Sequence, residues 1–458
     1  MARKEPLSAE DFAKHKLLIA NRGEIALRII RACRVLQLPN ILVFSEADRD
    51  SLPVRFADEA ICIGAAPASE SYLRMERILS AAVITGATAI HPGYGFLSEN
   101  HHFAQICQEM GIVFVGPSPA AISQLGDKAA ARKTMLSVGV PVIPGSEGIV
   151  TDIHEALLWA EKIGYPVILK AAAGGGGKGM RVAADANQLA KAFQTATAEA
   201  KADFGNPQLY LEKYLNAPRH VEVQIIADNY GKVLCLGERD CSWQRRHQKL
   251  IEESPCPVLT EEVRQRMYAA AEKAAQSVKY TGVGTVEFLL DPQSGEFYFM
   301  EMNTRLQVEH PVTEATCGID MVAAQLRVAL GDALPWRQGE LTRRGHALEI
   351  RINAEDPEHN FAPCPGKISF YQAPSGPGVR VDSHLYTGYT VPPYYDSLVA
   401  KLIISGETRE IVRRRALMAL DELTIDGIKT SGGFARKIIQ SPEFISGEYN
   451  TGTLEKML

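Results

Sequence analysis

The sequence has no excess of positive charge. Its 49 lysine and arginine residues are outnumbered by 54 aspartate and glutamate residues, which gives a net charge of -5 at pH 7. Proteins dedicated to nucleic acids bind through clustered positive charge. We therefore expect no nucleic-acid partner.

The sequence also lacks the patterns of disulfide frameworks, zinc knuckles and membrane anchors. None of the eight cysteines stands in a CxxC pair, so reduced thiols in a cytoplasmic protein are the simplest interpretation. No apolar run reaches membrane-spanning length, and the first residues lack the apolar segment of a secretory signal. These absences predict that the protein has no membrane partner.

The 458 residues, 46% of them hydrophobic, suffice for several packed units. Residues 1–15 are polar, and we expect a flexible N-terminal arm there. Over residues 16–127 buried strands alternate with helices, which predicts a doubly wound parallel sheet. Strand patterns over 209–303 and after Pro335 do not alternate regularly with helices, which favours antiparallel sheets. The expected fold class is therefore α/β and α+β, with a C-terminal antiparallel-sheet domain.

A glycine-rich segment from Gly174 to Gly179 follows a predicted strand that ends at Lys170. Successive glycines let the backbone approach phosphates and direct N–H groups at them, and Lys170 and Lys178 add positive charge. No Gly-Lys-Ser/Thr follows, so the segment is not a Walker loop, and it lies between two predicted strands. Two interpretations of this segment remain, a phosphate-binding loop and a plain hairpin tip.

The run from Asn303 to His310 combines an unusual set of polar groups at the end of a predicted strand. Asn303 and Gln307 are amides, Arg305 is a guanidinium and Glu309 is a carboxylate. Moving a charged group from water into the protein interior costs on the order of several kcal/mol unless the charge is paired or bound to metal. The run favours a site for a metal, phosphates and a small planar anion over an ordinary polar strand end.

Two acidic residues lie on a predicted hairpin just before this run. Glu287 and Glu301 stand on strands joined by a turn at 291–295, so that folding can bring them together. Two close carboxylates repel unless a divalent cation lies between them. With Asn303 they offer the oxygen ligands that Mg²⁺ takes. The alternative is two acids facing solvent.

Two further strands carry polar patterns. Gln244, His247 and Lys249 form a basic strip suited to ribose, phosphate or an oxyanion, although such strips are often solvated surface. Arg351 shares a strand face with Glu349, where a cross-strand salt bridge is the alternative to a functional role.

The chain resembles the biotin carboxylase family in motifs that occur in the family's order. They are Asn21-Arg-Gly-Glu-Ile-Ala26, His91-Pro-Gly-Tyr-Gly-Phe-Leu-Ser-Glu-Asn100, the Gly174 segment, Glu238-Arg-Asp-Cys-Ser242, Gln244-Arg-Arg-His-Gln-Lys249 and Glu301-Met-Asn-Thr-Arg-Leu-Gln-Val-Glu-His-Pro311. The resemblance implies an ATP-grasp fold. Its expected parts are an N-terminal α/β domain at 16–127, a lid with the glycine loop at 128–215, a central domain at 216–335 and a C-terminal domain at 336–458.

The resemblance also implies a role for each matching residue. ATP would be bound by Lys128, Lys170, Gly176, Gly177, Glu212, Lys213, Leu215, His220, Gln244 and His247, and Mg²⁺ or Mn²⁺ by Glu287, Glu301 and Asn303. Bicarbonate would be held by Lys249, Arg305, Gln307 and the Val308 backbone, with Glu309 as its general base. Biotin would lie at Arg351 and Tyr94, supported by Arg28 and Asp396.

The implied reaction is the ATP-dependent carboxylation of biotin through carboxyphosphate. No Ala-Met-Lys-Met biotinylation sequence occurs, so the expected partners are a separate biotin carboxyl carrier protein, carboxyltransferase subunits and a second copy of the chain. Acetyl-CoA is the expected final acceptor, with pyruvate and propionyl-CoA as alternatives. Another ATP-grasp ligase remains open. A regulatory nucleotide-binding subunit would have lost Glu287, Glu301 or Arg305, and all three are present.

Overall fold

The structure, a computed structural model, describes residues 6–171, 180–204, 207–246 and 248–458. The N-terminal strands are β1 Leu17–Ile19, β2 Asn40–Ser45, β3 Glu59–Gly64, β4 Ala89–His91 and β5 Val113–Phe114, and the helices are α1 Ala9–Ala13, α2 Gly23–Leu36, α3 Leu52–Phe56, α4 Met75–Thr85, α5 His101–Glu109 and α6 Pro119–Gly126. The strands pair in parallel in the order β3-β2-β1-β4-β5. The predicted doubly wound parallel sheet is confirmed.

The prediction of a flexible arm over residues 1–15 is wrong for its described part. Ser8 caps α1 in a capping box with Asp11. Phe12 is only 1% exposed and packs in the core that α2 shares with later helices. The backbone N–H of Leu7 donates to Asp332 at 2.7 Å. The polar composition did not indicate that this segment docks, because a single buried aromatic ring is enough to hold so short a helix against the core.

A small antiparallel unit follows. Its elements are α7 Lys128–Ser137, α8 Ile153–Ile163, β6 Val167–Ala171, β7 Met180–Ala183, α9 Ala186–Phe204 and β8 Leu209–Lys213. The strand order is β7-β6-β8. Strands β6 and β7 flank the glycine-rich segment, which agrees with the predicted strand-loop-strand arrangement. The segment itself, residues 172–179, lies outside the described residues.

The remaining chain contains a larger antiparallel sheet, separate two-stranded pairs and the helices that pack around them. Its elements are β9 Arg219–Ala227, β10 Val233–Arg245, β11 Gln248–Ser254, α10 Glu261–Ser277, β12 Gly282–Leu290, β13 Phe297–Asn303, α11 His310–Cys317, α12 Met321–Ala329, β14 His346–Asn353, β15 Glu355–Asp356, β16 Ala362–Pro363, β17 Gly366–Lys367, β18 Phe370–Gln372, β19 Val379–Ser383, β20 Thr390–Val391, β21 Leu398–Gly406, α13 Arg409–Glu422, β22 Thr424–Asp426, α14 Gly432–Gln440 and α15 Pro442–Ser446. The sheet order is β13-β12-β9-β10-β11-β14-β21-β19.

The longer C-terminal strands β14, β21 and β19 continue the central sheet, whereas β15 with β16, β17 with β20 and β18 with β22 form separate two-stranded pairs. Strand β14 pairs with β11 in antiparallel fashion, so one sheet runs through the boundary predicted at 335/336. The antiparallel arrangement is confirmed, and the domain boundaries stay predictions. Because the sheet is continuous, side chains from both predicted domains can meet on one face.

Alternation along β9 decides which face carries the polar groups. Val221 and Val223 pack against α10, where Ala271 lies in the same core. Successive side chains of a strand point to opposite faces, so His220 and Glu222 lie on the face away from α10. That face holds the candidate site.

Candidate active site

Sheet register places a row of charged residues across four neighbouring strands. Glu301 of β13 pairs with Glu287 of β12, Glu287 pairs with Glu222 of β9, and Glu222 pairs with Arg239 of β10. Paired residues project to the same face of an antiparallel sheet. Three carboxylates and a guanidinium therefore lie side by side, and Glu222 and Arg239 are completely buried.

Lys249 joins three of the site's carboxylates. Its ammonium lies 2.7 Å from Glu222, 3.1 Å from Glu287 and 2.6 Å from Glu309. Burial alone would lower the pKa of Lys249, but the neighbouring negative charges, among them Glu222 and Glu287, hold it well above its usual value. Lys249 is therefore a fixed positive charge at the centre of the cluster.

Glu309 is held between two cations. Besides Lys249, the Arg351 guanidinium donates to its second oxygen at 3.0 Å. Burial would raise the pKa of Glu309, but Lys249 and Arg351 bring it well below its usual range. Arg351 also donates to Glu252 at 2.6 Å, so the cross-strand salt bridge weighed from the sequence exists alongside the contact with Glu309.

Arg305 is aligned by a residue of the N-terminal unit. Its Nε donates to Glu99 at 2.9 Å, and its Nη2 donates to the Asn303 side-chain oxygen at 2.9 Å. Glu99 also accepts from the backbone N–H of Thr304 at 3.1 Å. One carboxylate thus fixes both the side chain and the backbone of the run that carries Arg305.

The oxygen donors at this face fit a hard divalent cation. Glu287 accepts from Asn303 and Gln307, both at 2.8 Å, and lies 2.9 Å from His220 Nε2. Ligand atoms of His220, Glu222 and Glu287 lie within 4.8 Å of one another. Glu287 and Glu301 face each other as the hairpin prediction required, and carboxylate and amide oxygens are the ligands that Mg²⁺ takes.

These residues open onto a cleft of about 820 Å³. The predicted site residues that line it are His220, Gln244, Lys249, Glu287, Glu301, Asn303, Arg305, Gln307, Val308, Glu309, Arg351 and Asp396. Several prolines, among them Pro392 and Pro393, also line the cleft. A cleft of this size accommodates a small-molecule substrate.

Other predicted nucleotide residues lie nearer the small antiparallel unit. The Lys170 ammonium pairs with Glu212 at 2.5 Å, and Lys213 donates to the carbonyl oxygens of Gly164 and Tyr165 at 3.0 and 2.8 Å. Lys128 lies 3.6 Å from Glu301, at the edge of the cleft. Leu215, just after β8, is half-buried. His247, Gly176 and Gly177 lie outside the described residues.

Two residues expected near biotin are not among those that line this cleft. Tyr94 donates its hydroxyl to Glu24. Arg28 lines a second cavity, of about 720 Å³, where it pairs with Glu314 at 2.7 Å and Asp320 at 2.6 Å. Arg28 is thus paired with acids outside this cleft, and its support of the biotin end stays a prediction.

The sequence interpretation missed three buried or bridging residues. Glu222 and Arg239 belong to the charged row, and Glu99 aligns Arg305. A signal existed for Glu222, since it stands two residues after His220 and hence on the same strand face. Glu99 lies inside the motif of residues 91–100 but more than two hundred positions from Arg305, so spacing could not reveal the contact.

Family models match most of the chain in order. Residues 13–122 match the biotin carboxylase N-terminal domain, residues 127–337 the ATP-binding domain of the carbamoyl-phosphate synthase L chain, and residues 349–456 the biotin carboxylase C-terminal domain. The biotin carboxylase of Nostoc sp. is 54% identical over 96% of this chain and 99% of its own length. The chain belongs to the biotin carboxylase family.

Other relatives agree with this assignment. Biotin carboxylase 1 of Bacillus subtilis is 54% identical over 96% of this chain and 98% of its own length. The crystal structure of a biotin carboxylase complex with β,γ-ATP from Campylobacter jejuni is 50% identical and superposes with a TM-score of 0.88 over 96% of this chain and 98% of that one.

Carboxylases with other names also match. The biotin carboxylase domain of Hydrogenobacter thermophilus 2-oxoglutarate carboxylase, in complex with MgADP and bicarbonate, is 46% identical with a TM-score of 0.87 over 96% of this chain and 97% of that one. As a member of the biotin carboxylase family, the chain is an ATP-dependent ligase with the ATP-grasp fold that its motifs predicted. No helix in the described ranges is long and apolar enough to cross a membrane.

Proposed function

We propose that the protein carboxylates biotin on a separate carrier protein, using ATP and bicarbonate, with carboxyphosphate as the intermediate. The observation that carries this proposal is the position of Glu309 between Lys249 and Arg351, at 2.6 and 3.0 Å, in a cleft that also holds Arg305. A carboxylate base surrounded by cations suits a small anion that must lose a proton and then attack a phosphate.

In the first step Glu309 removes the proton from bicarbonate, whose oxygen attacks the γ-phosphorus of ATP as the bond to ADP breaks. Lys249, Arg305, Gln307 and the Val308 backbone hold the anion. Glu309 is ionised because of its two cations, and bicarbonate shares those cations when it binds. Catalysis of this kind is mostly positioning and charge stabilisation.

ATP lies, in this proposal, between the cleft and the small antiparallel unit. Lys128, Lys170, His220, Gln244 and His247 hold its phosphates and ribose, Gly176 and Gly177 cover the phosphates, and Glu212, Lys213 and Leu215 contact the adenine. Magnesium or manganese, when bound by Glu287, Glu301 and Asn303, supplies positive charge that offsets the charge of the phosphates.

In the second step carboxyphosphate breaks into CO₂ and phosphate, and the phosphate takes the ureido proton of biotin. The biotin nitrogen then attacks CO₂, while Arg351 stabilises the negative charge on the ureido oxygen. Asp396 borders the biotin end, and Tyr94, which does not line the cleft, supports it from outside that lining. The position of Arg351 supports this role, because its side chain lines the cleft and its guanidinium donates to Glu309.

ATP turnover with free biotin tests the proposal. ADP release that requires both bicarbonate and biotin is expected. ADP release that requires an amine acceptor in place of biotin would instead favour another ATP-grasp ligase.

We further propose acetyl-CoA as the final acceptor, with a carboxyltransferase and a homodimeric biotin carboxylase in the complex. The support is that proteins named biotin carboxylase reach 54% identity, whereas the 2-oxoglutarate carboxylase domain and a pyruvate carboxylase subunit reach 46%. Incubating the carboxylated carrier with carboxyltransferases specific for acetyl-CoA, pyruvate or propionyl-CoA identifies the acceptor. Transfer to pyruvate alone would overturn this assignment.

A further inference from the structure

Lys401 is a completely buried lysine directly behind the candidate site. It lies on β21, 0% exposed, and its ammonium donates to the backbone oxygen of Val308 at 2.7 Å. It also lies 3.1 Å from the carboxylate of Glu24, at the start of α2. Lysine is almost never fully buried unless it is paired, so this arrangement needs an explanation.

The oxygen that Lys401 holds belongs to the peptide group between Val308 and Glu309. A peptide group is planar, so fixing its oxygen fixes the course of the backbone into Glu309. Helix α11 begins immediately afterwards, with Glu309 in its N-cap position. The direction in which the Glu309 side chain enters the cleft therefore depends on this peptide plane.

The same ammonium connects the site to the N-terminal unit. Glu24 accepts a hydrogen bond from the hydroxyl of Tyr94 as well as the contact from Lys401. The segments around Glu24 and Val308, far apart in the sequence, thus meet at Lys401, and Tyr94 joins them through Glu24. No other contact among the described residues gives Val308 a side-chain donor to its carbonyl oxygen.

A second buried acid, Glu349, lies near Lys401 and interacts with its charge. Glu349 is completely buried, and its carboxylate oxygens accept no hydrogen bond from the described residues. Burial raises the pKa of both Glu349 and Glu24, but among the described residues only the Glu24 carboxylate lies within ion-pair distance of the Lys401 ammonium, at 3.1 Å.

We propose that Lys401 is a positioning residue for bicarbonate activation, acting through the Val308 carbonyl to orient Glu309. This inference rests on the proposed function. Its competitor is a purely structural ion pair between Lys401 and Glu24. A buried charge left alone is strongly destabilising, whereas removal of the whole pair is often tolerated. If the ion pair is purely structural, removing both charges should therefore restore stability and activity together. If Lys401 positions Glu309, stability should return without activity.

The test compares Lys401→Met, Glu24→Gln and the double variant Glu24→Gln/Lys401→Met with the wild type. Each is measured for thermal stability, nucleotide affinity, and kcat/KM for bicarbonate in ADP release with free biotin. We expect Lys401→Met to unfold at a lower temperature and the double variant to recover most of that stability. We expect kcat/KM for bicarbonate to stay roughly 10- to 100-fold below wild type in both, the loss that a small misplacement of a reacting group causes.

Nucleotide affinity should stay within about twofold of wild type, because neither Lys401 nor Glu24 is among the residues proposed to bind ATP. Recovery of kcat/KM for bicarbonate together with stability in the double variant would overturn the positioning role. Unchanged kcat/KM in a stable Lys401→Met variant would overturn it as well. If Lys401→Met does not fold, the double variant alone decides. Wild-type enzyme without bicarbonate- and biotin-dependent ADP release would overturn the proposed function itself, and this inference with it.

Discussion

The Lys249 ammonium lies 2.6 Å from the carboxylate of Glu309, and both side chains line the cleft. A charged base in contact with a cation is a poor proton acceptor until the cation is shared with an incoming anion. In the proposed reaction, bicarbonate is that anion. The pair therefore couples substrate binding to the release of the base, and it makes the base sensitive to the charge on Lys249.

Replacing Lys249 with Gln should raise the pKa of Glu309, because burial then opposes its ionisation with one cation fewer. Below its pKa a protonated Glu309 cannot act as a base. We expect the acid limb of the pH profile of kcat/KM for bicarbonate to move upward by about one unit or more, together with a large loss of rate. Lys14→Gln, with a side chain 71% exposed, is the matched control. An acid limb that stays in place would contradict the assignment of Glu309.

Replacing Glu99 with Ala should free Arg305 without unfolding the protein. The Glu99 side chain is 43% exposed, and such pairs contribute about 0–1 kcal/mol to stability. We expect KM for bicarbonate to rise roughly 3- to 10-fold because Arg305 and the Thr304 backbone lose a common anchor. Glu109→Ala on α5 removes an exposed acid of the same unit as a control. Equal effects of the two variants would show that Glu99 does not align Arg305.

Replacing Phe12 with Ala should lower the free energy of unfolding by about 3–5 kcal/mol, the usual cost of removing a buried aromatic ring. The ring is 1% exposed. Phe370→Ala, at a position 47% exposed, should cost under about 1 kcal/mol. Chemical denaturation of both variants measures the difference. A Phe12→Ala protein as stable as wild type would restore the interpretation of residues 6–15 as an undocked arm.

Glu253 should stabilise the fold in a pH-dependent way. Burial raises its pKa, but hydrogen bonds from His346 and Arg409 outweigh burial and bring the pKa from its ordinary 4.5 to about 2. A depressed acid pKa contributes stability above the unfolded-state value, and that stability is lost as the pH falls from 4.5 towards 2.

Wild type should therefore exceed Glu253→Gln in unfolding free energy by on the order of 3 kcal/mol above pH ~5. The gap should narrow steadily on acidification. Denaturation curves across this pH range measure it. A gap that is independent of pH would mean that the Glu253 charge is not what Arg409 and His346 stabilise.

Local patterns predicted much of the fold and of the site. Alternating strands and helices gave the parallel sheet, and the polar run after β13 gave Asn303, Arg305, Gln307 and Glu309 as cleft residues. These succeeded because strand periodicity determines which side chains share a face. The hairpin from β12 to β13 brought Glu287 opposite Glu301 for the same reason.

Contacts between distant strands could not be predicted in this way. The continuation of the central sheet into β14 depends on pairing between β11 and β14, which no local spacing encodes. Glu99 and Lys401 contact the site from other parts of the chain, and each looks like an ordinary charged residue in its own segment. The docking of α1 depends on a single ring in a polar stretch.

The most direct test of the account follows oxygen from bicarbonate. Wild-type enzyme is given ATP, biotin and bicarbonate labelled with ¹⁸O, and the inorganic phosphate released is analysed by mass spectrometry. Attack of bicarbonate on the γ-phosphorus predicts that each phosphate carries one labelled oxygen. Phosphate that forms in step with carboxybiotin but carries no label would contradict the carboxyphosphate mechanism and the role of Glu309 in it.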